Sequence, residues 1–317
     1  MLARLAAAGV LACALAGCAT GGAGPTSTPP PSTVSSTGAA SGVGTPPSTS
    51  ARPTVSRGST PAQHTGAPRS TRPAASSTAR TTHPSSTKPP APPVSFPPGS
   101  GPLVVLDPGH NGGNASHPAE VNKQVYAGFG QYKACNTTGT STNAGYPEHA
   151  FTFDVAKRVR AILQAHGVRV IMTRSTDTGV GPCVDRRAAI QSTRGVRAAV
   201  SIHADGAPSS GHGFHVNECS RRPEGATAAT VARSEELGRA EHNALADGSG
   251  LVPSTYIGTN GYVHRSDFAG LNLSTTPTTF LELGNMRNSG DASLQSSRSG
   301  RQHIAEAIAA GILTFLA

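Results

Sequence analysis

A chain of 317 residues with 26 Lys and Arg against 17 Asp and Glu carries a formal charge of +9. The excess is lopsided: Arg52, Arg57, Arg69, Arg72, Arg80 and Lys88 fall in residues 19–100, which hold no acidic side chain, and without them and Arg4 about +2 remains. With no basic helix, no basic patch interleaved with aromatics and an export-type start, the charge excludes a nucleic-acid partner and suits anionic wall polymers or lipid headgroups, held by weak, salt-sensitive attraction.

Residues 1–15 place Arg4 ahead of an apolar run too short to span a bilayer as a permanent helix, so they read as a signal segment. The run closes on Leu15-Ala16-Gly17-Cys18, which resembles a bacterial lipobox. That resemblance implies that residues 1–18 form a lipoprotein-type signal segment, with Cys18 lipidated to anchor the chain in the membrane. Residues 19–100 are Ser, Thr, Pro, Ala and Gly with almost no large apolar side chain. Such a stretch buries too little surface to offset the entropy of ordering it, and is expected to be a disordered linker, partly extended by its prolines. Residues 101–317 suffice for one domain with a sizeable core.

Within that domain, Leu103-Val104-Val105-Leu106 is a buried strand that ends in the tight turn Asp107-Pro108-Gly109. Residues 111–145 are polar and glycine-rich, a long loop of the kind that carries function. Pro147 suits the first turn of a helix; Phe151, Val155, Val159 and Ile162 continue it at helical spacing, and Gly167 stops it. Further strands are expected at 168–172, 198–202, 214–216 and 278–283, and helices at 184–193, 226–246 and 303–316. The alternation predicts an α/β single domain with a mostly parallel central sheet and helices on both faces.

Five cysteines are present; Cys13 lies in the signal segment and Cys18 in the lipobox, which leaves Cys135, Cys183 and Cys219. An odd number in an oxidising compartment leaves one thiol over. Cys135 with Cys183 is the favoured pair, because each sits in a Gly/Thr-rich loop beside a segment assigned to the active site. The bridge would close a loop of roughly 50 residues and stabilise by about 3–5 kcal/mol in the entropic account. Pairs that use Cys219 stay open.

Polar residues suited to metal chemistry recur just past the strand ends. His110 follows the first strand, Glu148 opens the first long helix, His203 closes the strand Ser201-Ile202-His203, and Glu282 closes the late strand Phe280-Leu281-Glu282. Open α/β sheets bind ligands at the carboxyl ends of their strands, so these groups are expected to converge. Two histidines and a carboxylate form a common catalytic zinc set with a fourth position for water, whose pKa the metal lowers toward about 7. A second carboxylate nearby then takes the water proton and hands it to a leaving amine. Taken singly, a histidine after a strand is more often a packing residue; the ordered set of four carries the specificity.

The set lies in flanking motifs: Asp107-Pro108-Gly109-His110, Pro147-Glu148-His149, Ser201-Ile202-His203, and Leu281-Glu282-Leu283-Gly284, with Thr173-Arg174-Ser175-Thr176-Asp177 and Arg187 between them. In this the sequence resembles the zinc-dependent N-acetylmuramoyl-L-alanine amidases of the amidase_3 type, close to their single-domain mycobacterial form, from Leu103 almost to Ala317. The resemblance implies that His110, Glu148 and His203 ligate Zn2+ and that Glu282 is the catalytic carboxylate. It implies hydrolysis of the amide between N-acetylmuramic acid and L-alanine in peptidoglycan or its muropeptide fragments. The enzyme is then an extracytoplasmic lipoprotein facing the cell wall, and a monomer. The alternatives are another zinc peptidoglycan hydrolase, such as an endopeptidase, and a non-catalytic wall-binding lipoprotein.

Two departures from the family pattern stand out. Asn285-Met286 replaces a common Gly-Phe context after Glu282, and residues 115–143 are longer than in the plainest members. The longer segment carries Tyr126, Phe129 and Tyr132 and is expected to occlude the cleft in part, either as a flap or as a rigid hairpin stapled by Cys135. His149 should point away from its neighbour Glu148, because residues one apart do not share a helix face. His212 and His215 flank a strand near the site and are read as exposed loop histidines, with substrate orientation as the alternative; Arg174 with Asp177 is read as a structural pair, and Asp107 as a partner that fixes a ligand histidine's tautomer.

Overall fold

The computed structural model describes residues 94–317; the signal segment, Cys18 and the linker as far as residue 93 lie outside the described residues. In chain order the elements are β1 (Leu103–Pro108), a 3-10 turn (Asn114–Ser116), α1 (Pro118–Val121), β2 (Gln124–Gly128), β3 (Gln131–Ala134), α2 (Glu148–Ala165), β4 (Arg169–Met172) and α3 (Val184–Gln191). They continue with β5 (Val196–Asp205), β6 (His215–Cys219), α4 (Ala228–Gly248), β7 (Tyr262–Arg265), α5 (Ala269–Asn272), β8 (Thr278–Asn285), α6 (Ser289–Ser296) and α7 (Arg298–Leu316).

Six strands form one sheet in the order β4-β1-β5-β8-β6-β7. Every pairing is parallel except that of β6 with β8, so the expected α/β class with a mostly parallel sheet is what the chain forms. Side chains alternate across this sheet with the period of two that a strand imposes. Val104 and Leu106 of β1, Val200 and Ile202 of β5, and Leu281 and Leu283 of β8 enter the larger core with Phe151, Val155 and Val159 of α2, Leu237 of α4 and Ile304 and Ile308 of α7. Val105 and Ala199 face the other way, into a small cluster with Val196, toward the side where α3 and α5 pack. Asp107, Ser201, His203, Phe280 and Glu282 share that second face by the same alternation. The parity of the strands therefore sends their oily residues to one side and their chemistry to the other.

Several elements depart from the sequence reading. The final helix begins at Arg298, five residues before His303, because Ser297 caps it with a side-chain oxygen that accepts from Gly300 N. Before it lies α6, capped by Asn288, whose Ser- and Gly-rich sequence carries no helical stripe. β7 is a further strand without a sequence signal: four residues, Tyr-Val-His-Arg, joined to the sheet only through β6. The short strand expected at 214–216 runs instead from His215 to Cys219, with Phe214 making an isolated bridge to Pro253. The folded unit also reaches back beyond the boundary expected at residue 101. Phe96 packs against the larger core and its N–H donates to His166 O at 2.9 Å, while the His166 ring bonds Val94 O at 3.1 Å.

Residues 111–145 are not a bare loop. β2 and β3 form a separate antiparallel hairpin. Cys135, just past β3, is disulfide-bonded to Cys183 ahead of α3, and Cys219 is free. Among the described residues no helix is long and apolar enough to cross a membrane.

Candidate active site

β1 ends where β5 runs alongside it, and the first turn beyond β1 builds the floor of a cleft of about 560 Å³. Gly109 N donates to Ile202 O at 2.9 Å, and a Cβ on Gly109 would lie 2.1 Å from the His203 ring. Only glycine lets the two segments approach so closely. His110 then takes a left-handed φ of 57°, rare for a side chain of this size. Arg187 braces that turn with donations to Pro108 O at 2.8 Å and His110 O at 2.9 Å.

The ring of His110 is oriented from both ends. Its Nδ1–H donates to Thr137 O at 2.9 Å, which leaves Nε2 3.1 Å from Glu148 Oε1. Glu148 enters from the first residue of α2, where Pro147 occupies the cap with extended backbone. Its Oε1 accepts from Ala204 N at 3.1 Å and its Oε2 from Thr140 N at 2.9 Å. His203, at the end of β5, brings Nδ1 to 3.0 Å from the same Oε1 and stacks on Phe280 with centroids 4.3 Å apart. One donor atom from each of these three residues lies within 4.8 Å of the others. Glu282 sits beside His203 in the β5–β8 register and lines the same cleft. The four residues singled out in the sequence are thus neighbours in one site.

Electrostatics separate the two carboxylates. Burial alone would raise both, and for Glu148 the charges and hydrogen bonds of His110 and His203 more than reverse it, holding that carboxyl well below the usual range. For Glu282, burial, then the negative charges of Glu148 and Asp205, outweigh the opposing charge of Arg265 and push it well above. Its Oε2 is buried without a hydrogen-bond partner. Burial lowers His203, whereas for His110 the burial effect is outweighed by Glu148, which raises it. The two carboxyls are thus shifted in opposite directions.

Around this centre several expectations resolve. His149 turns away as expected and bonds Asp177 Oδ2 at 2.8 Å. Arg174 joins Asp177 to the β1 turn, donating to Asp177 Oδ1, Pro108 O and Gly109 O. The expectation for Asp107 fails, because it bonds no histidine. It accepts from Thr173 Oγ1, Arg187 Nη1 and Ser201 Oγ, and Arg187 with these hydrogen bonds outweighs burial and lowers its pKa. Its direction is set by β1 parity, which points it beneath the site among donors. His215 is likewise no loop histidine: it opens β6, is 1% exposed, and burial pushes it down to about 4.

Residues outside the motifs complete the cleft. Lys133, Asn136, Thr137 and Thr140 of the hairpin and its exit line the cleft, as do Phe268, over which Lys133 Nζ lies 5.5 Å from the ring centroid, and Arg287. Tyr126 Oη and Phe129 N donate to Glu224 Oε1, Lys133 Nζ to Asp267 O, and Asn272 Nδ2 to Ala127 O, so the hairpin is pinned on several sides. These partners lie more than 90 residues away in the chain, and no local pattern announces them.

The family profile described as Amidase_3, N-acetylmuramoyl-L-alanine amidase, matches residues 104–314. An N-acetylmuramoyl-L-alanine amidase of Mycobacterium tuberculosis is 46% identical over 218 residues, which cover 69% of this chain and 88% of the relative. The crystal structure of the N-acetylmuramyl-L-alanine amidase Ami1 from Mycobacterium smegmatis is 47% identical, with a TM-score of 0.64 over 68% of this chain and 97% of its own. The apo Ami1 of Mycobacterium abscessus is 45% identical, with a TM-score of 0.63 over 68% of this chain and 99% of its own. The chain belongs to the Amidase_3 family of N-acetylmuramoyl-L-alanine amidases.

Proposed function

We propose that this chain hydrolyses the amide between the lactyl group of N-acetylmuramic acid and L-alanine, using zinc held by His110, Glu148 and His203 and a proton carried by Glu282. The observation that supports this reading best is the meeting of two imidazoles and a buried, charged carboxylate, with donor atoms within 4.8 Å, beside a second carboxylate held at high pKa. That nitrogen–oxygen set fits catalytic zinc, which takes three protein ligands and leaves a position open. When bound, zinc polarises the amide carbonyl and makes water acidic near neutral pH.

The chain's own groups do the rest. Thr137 O fixes the His110 tautomer so that Nε2 faces the ion, and Ala204 N and Thr140 N hold the Glu148 carboxylate in place. Phe280, stacked under His203, keeps water off that imidazole. In its ionised form Glu282 takes a proton from the water that attacks the carbonyl and passes it to the departing nitrogen as the C–N bond breaks. The products are a muramic acid carboxylate and a peptide whose new amine terminus is L-alanine.

Peptidoglycan lies outside the cytoplasmic membrane, and we infer that Cys18 anchors the enzyme there as a monomeric lipoprotein behind the linker of residues 19–100. Mass spectrometry of digested muropeptides tests the bond: L-alanyl peptides are expected, and cleavage within the stem or cross-link would make this an endopeptidase. Glu282→Gln should keep its zinc and its melting temperature and lose about 100-fold or more in kcat. Purified protein that is metal-free yet fully active, or a Glu282→Gln variant at wild-type rate, overturns the mechanism.

A further inference from the structure

Behind Glu282 lies a group that the proposed reaction leaves unused. His215 stands opposite Glu282 in the antiparallel β6–β8 ladder, so the two side chains leave the same face of the sheet at adjacent positions. His215 is 1% exposed, and its Nδ1 is buried with no hydrogen-bond partner. Glu282 has the complementary defect: Oε2 is buried and unpartnered, while the residue itself lines the cleft. Buried polar atoms are nearly always paired. A nitrogen able to donate and an oxygen able to accept, left over on directly opposed residues, fit one another.

The neighbours do not supply either atom. Tyr256 lies edge-on to the His215 ring with centroids 6.0 Å apart, but its hydroxyl donates to Asp205 Oδ2 at 3.1 Å. Arg265, on β7, is engaged by both oxygens of Asp267. Val216 and Leu281, the next pair along the ladder, face the apolar core on the other side of the sheet. Burial, with Arg265 adding to it and Asp205 opposing, keeps the imidazole neutral near pH 7. A neutral imidazole has one N–H to give, and the tautomer decides which atom gives it.

Resting on the amidase reading above, we propose that His215 is the positioning residue for Glu282: the two atoms are too far apart for a direct hydrogen bond, and the Nδ1–H donates to Oε2 through one trapped water, which turns Oε1 toward the cleft. A buried site with two convergent polar atoms suits such a water. His215 neither gains nor loses a proton in the cycle. The proton from the attacking water lands on Oε1 and leaves with the amine, while the hydrogen bond to Oε2 keeps the carboxylate from rotating away.

The test compares His215→Phe, which keeps a ring and removes the donor, with His215→Asn, whose amide N–H stands near the position of Nδ1. On a soluble muramoyl peptide His215→Phe should lose about 10- to 100-fold in kcat with KM within about twofold, because a displaced proton carrier slows chemistry rather than binding. Its zinc content should be unchanged, and His215→Asn should recover most of the rate. Nitrogen-15 spectra of labelled histidine should show His215 as the Nδ1–H tautomer, with a resonance that moves in Glu282→Gln. An unchanged kcat in His215→Phe, an Asn variant as slow as Phe, or an Nε2–H tautomer indifferent to Glu282→Gln overturns the proposal. Should His215→Phe not fold, the spectra of wild type and Glu282→Gln decide alone. A wild type that frees no L-alanyl peptide, yet shows the coupled Nδ1–H resonance, defeats the amidase reading and leaves this pairing intact.

Discussion

Glu241 is a carboxylic acid buried without a partner: it lies in α4 with no exposure, and neither of its oxygens has a hydrogen-bond partner. Across from it, α7 carries Gly311, where a Cβ would sit 2.7 Å from Glu241 Oε2 and 2.9 Å from its Cα. A glycine inside a helix costs roughly 1 kcal/mol relative to alanine, so the acid and the glycine are a matched pair, one making room for the other. Burial raises the Glu241 carboxyl well above its ordinary value. The folded state therefore keeps a proton that the unfolded state releases above about pH 4.3, and stability falls as pH rises from there toward the raised pKa. Glu241→Gln, which never ionises, should match wild type in acid and then gain on it by about 1.4 kcal/mol per pH unit across that window. Denaturant titrations of the two proteins from pH 4 to 8 measure the gap; parallel curves would mean that Glu241 is not held neutral. Nothing in the α4 sequence marks this residue, because its isolation depends on α7 being laid across it. His110, Glu148, His203 and Glu282 were legible for the opposite reason. Each stands inside a short motif: strand parity sends His203 and Glu282 to one face, while His110 lies in the turn past β1 and Glu148 opens α2. Asp107 and His215 have comparable positions, but which neighbours they meet is decided by strands far away in the chain.

At the scale of elements, the departures share one cause. β7 and α6 are short and polar, and they exist because β6 and the Asn288 cap give their backbones partners, not because of any periodicity of their own. The long helices and central strands carry their apolar stripes in sequence and were placed within a few residues. The hairpin of β2 and β3 is the most consequential case, since it forms a wall of the cleft and has no stripe to disclose it. A two-stranded ribbon is marginal alone. Its stability comes from side-chain ties to Glu224, Asp267 and Asn272 and from the Cys135–Cys183 bridge, which spans 48 residues. Closing a loop of that length removes chain entropy worth about 4 kcal/mol. Cys135→Ser with Cys183→Ser should lower the unfolding free energy by about 3–4 kcal/mol, read by denaturant melts under oxidising conditions. Reduced wild type should fall to the same midpoint. A double variant as stable as the oxidised protein would mean that the packed ties alone hold the wall.

For the whole molecule, the placing of charge separates catalysis from location. The amidase domain carries its acids and bases nearly in balance, whereas Arg52, Arg57, Arg69, Arg72, Arg80 and Lys88 lie ahead of it in a stretch with no acid at all. The proposed N-terminal anchor would then be of two kinds: a lipid on Cys18, which salt does not weaken, and a diffuse cationic attraction that a Debye length of about 8 Å at physiological ionic strength already screens in part. They come apart in one experiment. The wild type should incorporate labelled palmitate and stay with membranes washed at high salt. Cys18→Ala should take up no label and wash off as ionic strength rises, with kcat on a soluble muramoyl peptide unchanged, since the cleft around His110, Glu148, His203 and Glu282 is lined by residues from Asp107 to Arg287. If Cys18→Ala still resists the wash, or wild type carries no lipid, the anchor is not at Cys18. If the variant leaves even at low salt, the basic stretch contributes no hold of its own, and its charge serves only to keep the chain soluble.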